Sequence, residues 1–283
     1  MKIVVFGGRG QLGNDVFLTV PKNVELIVPL KEEVDVGNRD QVVRFAKKVG
    51  SVDFVFYLAG YVKVDLAEEE LYEVFKVNTF GIKNVIEFFY TTPVVYISTD
   101  YVFDGSKEGE PYYEDDIPNP INIYGISKYA GELIVKSYVN KYYIVRTASL
   151  FGKLPSKGKG TNFVYTILNK LENNETIKVV NDVFMSPTYT FDLAKSIWEL
   201  VERQYPYGVY HITNSGYCSW YEFAKYIAQY AGFVESKIYP VSSMEFSAKA
   251  KRPKWSVLGS RNFPQIRGWQ QALKEFIESI LHK

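Results

Sequence analysis

The feature that most constrains this fold is a glycine pattern near the start of the chain. The apolar run Ile3-Val4-Val5-Phe6 leads directly into Gly7-Gly8-Arg9-Gly10-Gln11-Leu12-Gly13, and the stretch Asn14–Val20 then reads as helix. Glycines at this spacing, at the carboxyl end of a first strand, let the backbone turn tightly and approach a pyrophosphate at a helix N-terminus. An ordinary strand-to-helix turn is the plain alternative. The position of the pattern in the first βα unit favours the phosphate loop.

The rest of the chain has the rhythm this start requires. Short apolar runs recur at Glu25–Val28, Phe54–Leu58, Val94–Ser98, Tyr142–Arg146, Ile177–Val180 and Val209–Ile212. Between them, Leu71–Tyr90, Ile126–Tyr138, Tyr189–Glu202 and Trp220–Ala231 carry apolar residues at spacings of three and four. Strands that read as continuous apolar runs are buried on both faces, and their alternation with amphipathic helices predicts an α/β fold, a Rossmann-like doubly wound parallel sheet. After Phe151-Gly152 the segment from Lys153 to Gly160 reads as an exposed, mobile loop, and prolines then punctuate shorter elements. The expected division is a nucleotide-binding domain over residues 1–150, with 186–214 returning to it. Residues 151–185 and 215–283 then form a smaller α/β substrate domain.

Composition removes several chemistries. The chain holds 33 Lys and Arg against 32 Asp and Glu, without a block of like charge, which argues against a nucleic-acid or membrane-surface partner. One cysteine, Cys218, and two histidines, His211 and His282, exclude an internal disulfide framework, a CxxC zinc site and a His-rich metal site. His211 lies in an apolar run that reads as strand, and Cys218 reads as a packed, inert thiol. Acid–base work near neutral pH therefore falls to carboxylates, Lys or Tyr. The apolar run at the start is too short for a signal peptide, so a cytoplasmic protein is expected. Glu68-Glu69-Glu70 follows Asp65, which can cap a helix, and acidic residues in a first turn suit the helix dipole without any metal.

At the end of the second strand, where NAD-selective sites carry an acidic residue for the ribose, the chain reads Val28-Pro29-Leu30-Lys31. Lys31, with Arg9 inside the glycine loop, offers positive charge to a 2′-phosphate. NADPH is the expected cofactor and NADH the alternative, with Glu32 and Glu33 close by. No residue pattern argues for a Mg²⁺ requirement or against one.

Three tyrosines are followed four positions later by Lys: Tyr72 with Lys76, Tyr124 with Lys128, and Tyr221 with Lys225. Each pair shares a helix face, where an ammonium can stabilise tyrosinate and lower the phenol's pKa. Tyr72 and Tyr221 sit among apolar residues at helical spacing, so packing accounts for them. Tyr124 follows the turn-like Ile117-Pro118-Asn119-Pro120 and opens a helix. Thr99, in Ser98-Thr99-Asp100, ends a buried strand. The carboxyl ends of strands line the ligand crevice of a doubly wound sheet, so Thr99 and Tyr124 are expected to converge there.

These residues resemble the Ser/Thr, Tyr and Lys constellation of the extended short-chain dehydrogenase/reductase superfamily, and more closely the dTDP-4-dehydrorhamnose reductase family. The similar segments span almost the whole chain: Gly7 to Gly13, Ser98-Thr99-Asp100-Tyr101-Val102-Phe103-Asp104-Gly105, Pro118-Asn119-Pro120 with Tyr124-Gly125, Gly208 to Asn214 with Ser219-Trp220, and Arg252-Pro253 with Ser256-Val257-Leu258. The resemblance implies Gly10, Gln11 and Leu12 against the pyrophosphate, Asp35 and Val36 near the adenine, and Ala59, Gly60, Tyr61 and Val62 beside the nicotinamide. It implies Thr99, Asp100 and Tyr101 against the sugar, with Tyr124 as proton donor and Lys128 holding the ribose. Asn162 and Arg252 are further candidates for contact with the nucleotide, and a structural ion pair is the other role open to Arg252.

Three positions depart from the family pattern: Val62 stands for a common Thr, Gly60 for Ala, and Ser149 for a frequent Trp. The implied activity is NADPH-dependent reduction of a dTDP-4-dehydro-6-deoxy-L-sugar by a monomer or homodimer. A 4-epimerase with retained NAD uses the same Tyr and Lys, and a non-catalytic subunit similar to the methionine adenosyltransferase beta subunit is the alternative from another class. A 4,6-dehydratase is disfavoured, because its Thr-Asp-Glu is Thr99-Asp100-Tyr101 here and one proton carrier is missing.

Overall fold

The computed structural model describes residues 1–155 and 160–281. Residues 156–159 of the loop expected at 153–160, and His282, lie outside the described residues. Five strands, β1 (Lys2–Phe6), β2 (Glu25–Ile27), β3 (Phe54–Tyr57), β4 (Val94–Thr99) and β5 (Tyr142–Thr147), form one sheet together with the strand Gly208–His211. The order is β2-β1-β3-β4-β5 followed by Gly208–His211, and every pairing is parallel. The return of the late strand to β5, with Gly208 opposite Tyr143, is what the apolar run at Val209 suggested. Ile177–Val180 does not join this sheet; it pairs instead with Ile238–Val241.

Side chains alternate strictly across the sheet, as a strand period of two demands. Ile3, Val5, Phe56, Val95 and Val145 pack under α1 (Gln11–Leu18) and the later helix Thr190–Glu202 through Leu12, Val16, Leu193 and Ile197. Val4, Phe6, Val55, Tyr57 and Tyr96 face the other layer, built from α2 (Arg39–Val49) and two helices that follow. A separate apolar cluster joins the helices Phe163–Glu172, Trp220–Tyr230 and Trp269–Leu281 around Phe151, Phe223 and Phe276.

Local sequence explains where the helices begin. Asn38 caps α2 by accepting from the Gln41 N–H at 3.1 Å, and Gly50 at φ +71° ends it. Ser219 and Glu222 form a reciprocal capping box on Trp220–Tyr230. The helix after the glycine turn begins at Gln11, three residues before the expected Asn14, because the turn itself supplies the first helical residues.

The stretch Leu71–Tyr90, read as one helix, is broken into three pieces. After α3 (Val64–Ala67) come α4 (Leu71–Phe75), a π-helical segment Lys76–Gly81, and α5 (Ile82–Phe88). The wider turn leaves carbonyls unpaired along the helix, and two sheet tyrosines supply partners: Tyr57 Oη donates to the Val77 carbonyl at 2.6 Å and Tyr96 Oη to the Asn78 carbonyl at 3.0 Å. Tyr72, expected to be packed, is 71% exposed on this stretch. The long helix α6 (Ile123–Tyr138) lies beside it, capped by Asn122 on the Gly125 N–H at 2.8 Å.

Candidate active site

The glycine turn delivers a helix N-terminus with open donors. Gly10 occupies the cap of α1 without a side-chain cap bond, and the buried Nε2 of Gln11 has no partner among the described residues. Such a terminus favours an anionic group, so the residues fit a dinucleotide pyrophosphate. Gly7 has φ +81°, and a Cβ there would sit 2.4 Å from the Ala59 nitrogen. Gly7→Ala is therefore expected to destabilise the protein by ~1–3 kcal/mol, read as a lower melting temperature, with weaker NADPH binding. An unchanged melt would remove this account of the turn.

Arg9 and Lys31 are both exposed, while Glu33 is committed to its own turn through the Leu30 N–H at 3.0 Å. The carboxylate of Asp35 accepts from the Gly37 N–H at 2.9 Å and pairs with Lys76 Nζ at 3.2 Å, and the carbonyl of Val36 is held by Asn84. The segment Ala59-Gly60-Tyr61-Val62 leaves the end of β3. Its shape is set by Asn78, which accepts from the Tyr61 N–H at 2.8 Å and donates to the Tyr61 carbonyl at 3.1 Å. The same amide donates to Ser127 Oγ at 2.9 Å, and Ser127 donates to the Tyr124 carbonyl at 2.7 Å. One π-segment side chain thus ties this segment to the first turns of α6. Asn78 carries no distinguishing signal in the sequence, because Asn84 and several charged residues share its helical stretch.

Thr99 ends β4 directly opposite Thr147, and its hydroxyl accepts from the Tyr101 N–H at 3.2 Å and donates to Asp100 Oδ1 at 2.9 Å. Tyr124 packs edge-on against Tyr101 with ring centroids 6.0 Å apart. Burial pushes the Tyr124 phenol up to about 12, partly opposed by hydrogen bonding to Thr99. The direction is opposite to that expected from the Tyr–Lys spacing, because loss of hydration outweighs any stabilisation of tyrosinate. Lys128 is 4% exposed, and burial pulls its ammonium down to about 7 against the pull of Glu132. Asp100 is pushed up to about 6 by burial, with hydrogen bonding to Ser256 and Thr99 opposing.

The reading of Asp65 as a helix cap is overturned. Lys63 holds the N-cap position of α3 without a side-chain bond, Asp65 lies within the helix, and its carboxylate receives both ends of the Arg252 guanidinium at 2.9 and 2.6 Å. Two charges 187 residues apart find each other only after folding. The glutamates that follow are also engaged: Glu68 accepts from the Ile123 N–H, Glu69 pairs with Lys249, and Glu70 accepts from the Tyr61 hydroxyl. Among the described residues no group of three metal-ligating side chains is present. Asn162 caps Phe163–Glu172 through the Tyr165 N–H at 3.1 Å and donates to the Gly152 carbonyl at 3.0 Å. Cys218 is buried, and burial pushes its thiol up.

His211 takes no catalytic position. Its Nδ1 faces the carbonyls of Gly259 at 2.9 Å and Tyr112 at 3.1 Å, and its Nε2 lies 3.4 Å from Arg146 Nη1. Burial, then the Arg146 charge, pulls it down to about 4. Unfolded histidine binds a proton near pH 6.5, so this contribution to stability is whole above pH 6.5 and is lost as pH falls from 6.5 toward 4. The loss, on the order of 3 kcal/mol, should appear in urea unfolding and be absent from the pH dependence of His211→Asn. Parallel profiles for the two proteins would refute it.

A glycine-turned helix end on a doubly wound parallel sheet, with Thr99 closing β4 and Tyr124 and Lys128 on α6, places the chain in the extended short-chain dehydrogenase/reductase class. The chain belongs to the RmlD substrate binding domain family, whose model matches residues 1–282. It is similar to the spore coat polysaccharide biosynthesis protein SpsK of Bacillus subtilis, at 35% identity over 98% of this chain and 97% of that one. A dTDP-4-dehydrorhamnose reductase from Aggregatibacter actinomycetemcomitans is 32% identical over 96% of this chain and 97% of its own length. The crystal structure of dTDP-4-dehydrorhamnose reductase from Bacillus anthracis in complex with NADP is 38% identical with a TM-score of 0.91, covering 98% of this chain and 99% of that one. No helix among the described residues is long and apolar enough to cross a membrane.

Proposed function

We propose that this protein reduces dTDP-4-dehydro-6-deoxy-L-mannose to dTDP-L-rhamnose with NADPH. The observation that supports the reading is Thr99 at the carboxyl end of β4 acting on Tyr124, with Lys128 one turn further along α6, in a chain 38% identical to a reductase crystallised with NADP. Gly7, Arg9, Gly10, Gln11, Leu12 and Gly13 hold the pyrophosphate, with Arg9 and Lys31 toward the 2′-phosphate and Asp35 and Val36 toward the adenine. When bound, the nicotinamide supplies the hydride that reduces the C4 carbonyl.

Negative charge gathers on the C4 oxygen as reduction proceeds, and a donor aimed there stabilises the transition state selectively. Thr99 turns its one proton from Asp100 to that oxygen, and Tyr124 transfers its phenolic proton to it; the tyrosinate then regains a proton from solvent. Lys128 binds the ribose and supports the tyrosinate with its charge. Asp100 and Tyr101 contact the sugar, and Asn162 keeps one amide proton for it. Residues 1–150 with 186–214 form the cofactor domain, and 151–185 with 215–283 the substrate domain of a cytoplasmic monomer or homodimer.

Incubating the pure protein with NADPH and the 4-keto sugar should oxidise the cofactor and release dTDP-L-rhamnose in equal amounts. An epimerase returns its cofactor unchanged, so epimerised sugar without net NADPH oxidation, or no reaction at all, overturns the proposal.

A further inference from the structure

Tyr96 lies in the middle of β4, fully buried, two positions from Ser98 and on the face opposite Val95. Its ring stacks on Tyr57 with centroids 5.9 Å apart, and Lys128 Nζ stands over the same ring 4.2 Å from its centre. Its hydroxyl faces two main-chain carbonyls, Asn78 at 3.0 Å in the π segment and Lys128 at 3.2 Å in α6. Room for that hydroxyl exists because Gly131 follows in α6: a Cβ there would lie 2.1 Å from Tyr96 Oη. The ring is held on one side by a neighbouring aromatic and at its tip by two helices, and its remaining face carries the ammonium.

We propose that Tyr96 is a positioning residue for the reduction: its ring face, set in place by packing between β3 and α6, carries the Lys128 ammonium. This rests on the reductase reading given above. A buried ammonium loses hydration, and an aromatic face is one of the few environments that returns attraction without itself being charged. Burial pushes the Tyr96 phenol well above its usual range, so the ring stays neutral. Lys128 shares α6 with Tyr124 one turn before it and Glu132 one turn after it. Glu132 is paired with Arg146 from β5, and Asp100 from the turn after β4 acts on Tyr124. Lys76 of the π segment is paired with Asp35, and Glu68 accepts from the Ile123 N–H. Tyr96 thereby keeps Lys128 charged to a higher pH than the same buried site without an aromatic face would allow.

The test varies the ring face without altering its shape. NADPH affinity, read from nicotinamide fluorescence without sugar, and kcat are measured across neutral pH for wild type, Tyr96→Phe and Tyr96→trifluorophenylalanine. The trifluoro ring keeps the outline of Phe and removes most of its attraction for a cation. The pH midpoint at which affinity falls is expected to stay within ~0.3 units in Tyr96→Phe and to drop by about one unit, a tenfold loss of proton affinity, with the trifluoro ring. Equal midpoints in the two folded variants overturn the proposal. If wild type binds NADPH but does not reduce the sugar, the reductase reading fails, while the fluorescence midpoints still decide the role of Tyr96.

Discussion

Tyr124→Phe is expected to lower kcat by about 10²–10⁴-fold at saturating sugar and cofactor while leaving NADPH affinity within a few-fold of wild type. The substitution keeps the ring that packs edge-on against Tyr101 at 6.0 Å and removes only the proton donor. Because burial pushes the Tyr124 phenol up to about 12, the proton is in place throughout the neutral range. Tyr124 therefore sets no alkaline limit on the rate near pH 7. Lys128, pulled down to about 7 by burial, titrates there instead: it is charged below that pH and neutral above it. Turnover that needs the ammonium falls as pH rises through 7. Steady-state NADPH oxidation measures both effects. Near wild-type kcat in Tyr124→Phe would refute the assignment of the donor.

The second large effect is on stability. Arg146 and Glu132 form an ion pair at 2.7 Å with side chains 1% and 0% exposed, and Ser98 Oγ donates to the same carboxylate. Replacing Arg146 by Met removes the paired guanidinium and leaves the buried carboxylate with the Ser98 hydroxyl as its hydrogen-bond donor. That loss is expected to cost about 3–5 kcal/mol in urea unfolding. The double variant Arg146→Met with Glu132→Leu should regain most of it, because an apolar pair carries no uncompensated charge. A single-variant cost under about 1 kcal/mol would mean that the pair is better hydrated than its burial indicates. The pair also fixes the negative end of α6's inner face, one turn beyond Lys128, so the same variants should shift the pH dependence of turnover.

The legible parts of this molecule were those encoded by short range. A glycine turn after an apolar run specifies a βα unit through local backbone sterics, and the continuous apolar runs of β1 and β4 specify two-sided burial. Tyr124 is set apart from Tyr72 and Tyr221 by its place after a turn and its expected partner Thr99 at a strand end, and Thr99 is among the groups that act on its phenol. Spacing also implied that Lys128 lowers the Tyr124 phenol, and there the expectation reversed: desolvation depends on what surrounds the helix, which no four-residue interval encodes.

The long-range pairings were illegible for the same reason. Asp65 looks like a helix cap beside three glutamates until Arg252 arrives from 187 residues away. The π segment is invisible in a periodicity that Leu71–Tyr90 satisfies adequately, because its cause lies in the hydroxyls of Tyr57 and Tyr96 on other strands.

The doubly wound sheet, the glycine turn and the residue types available for acid–base work follow from the chain alone, through local sterics, periodicity and the scarcity of His and Cys. Only the tertiary structure decided which way the site's protons are held, what supports Lys128, and which charges close the chain upon itself. Those depend on burial and on partners that folding alone brings within a few ångströms.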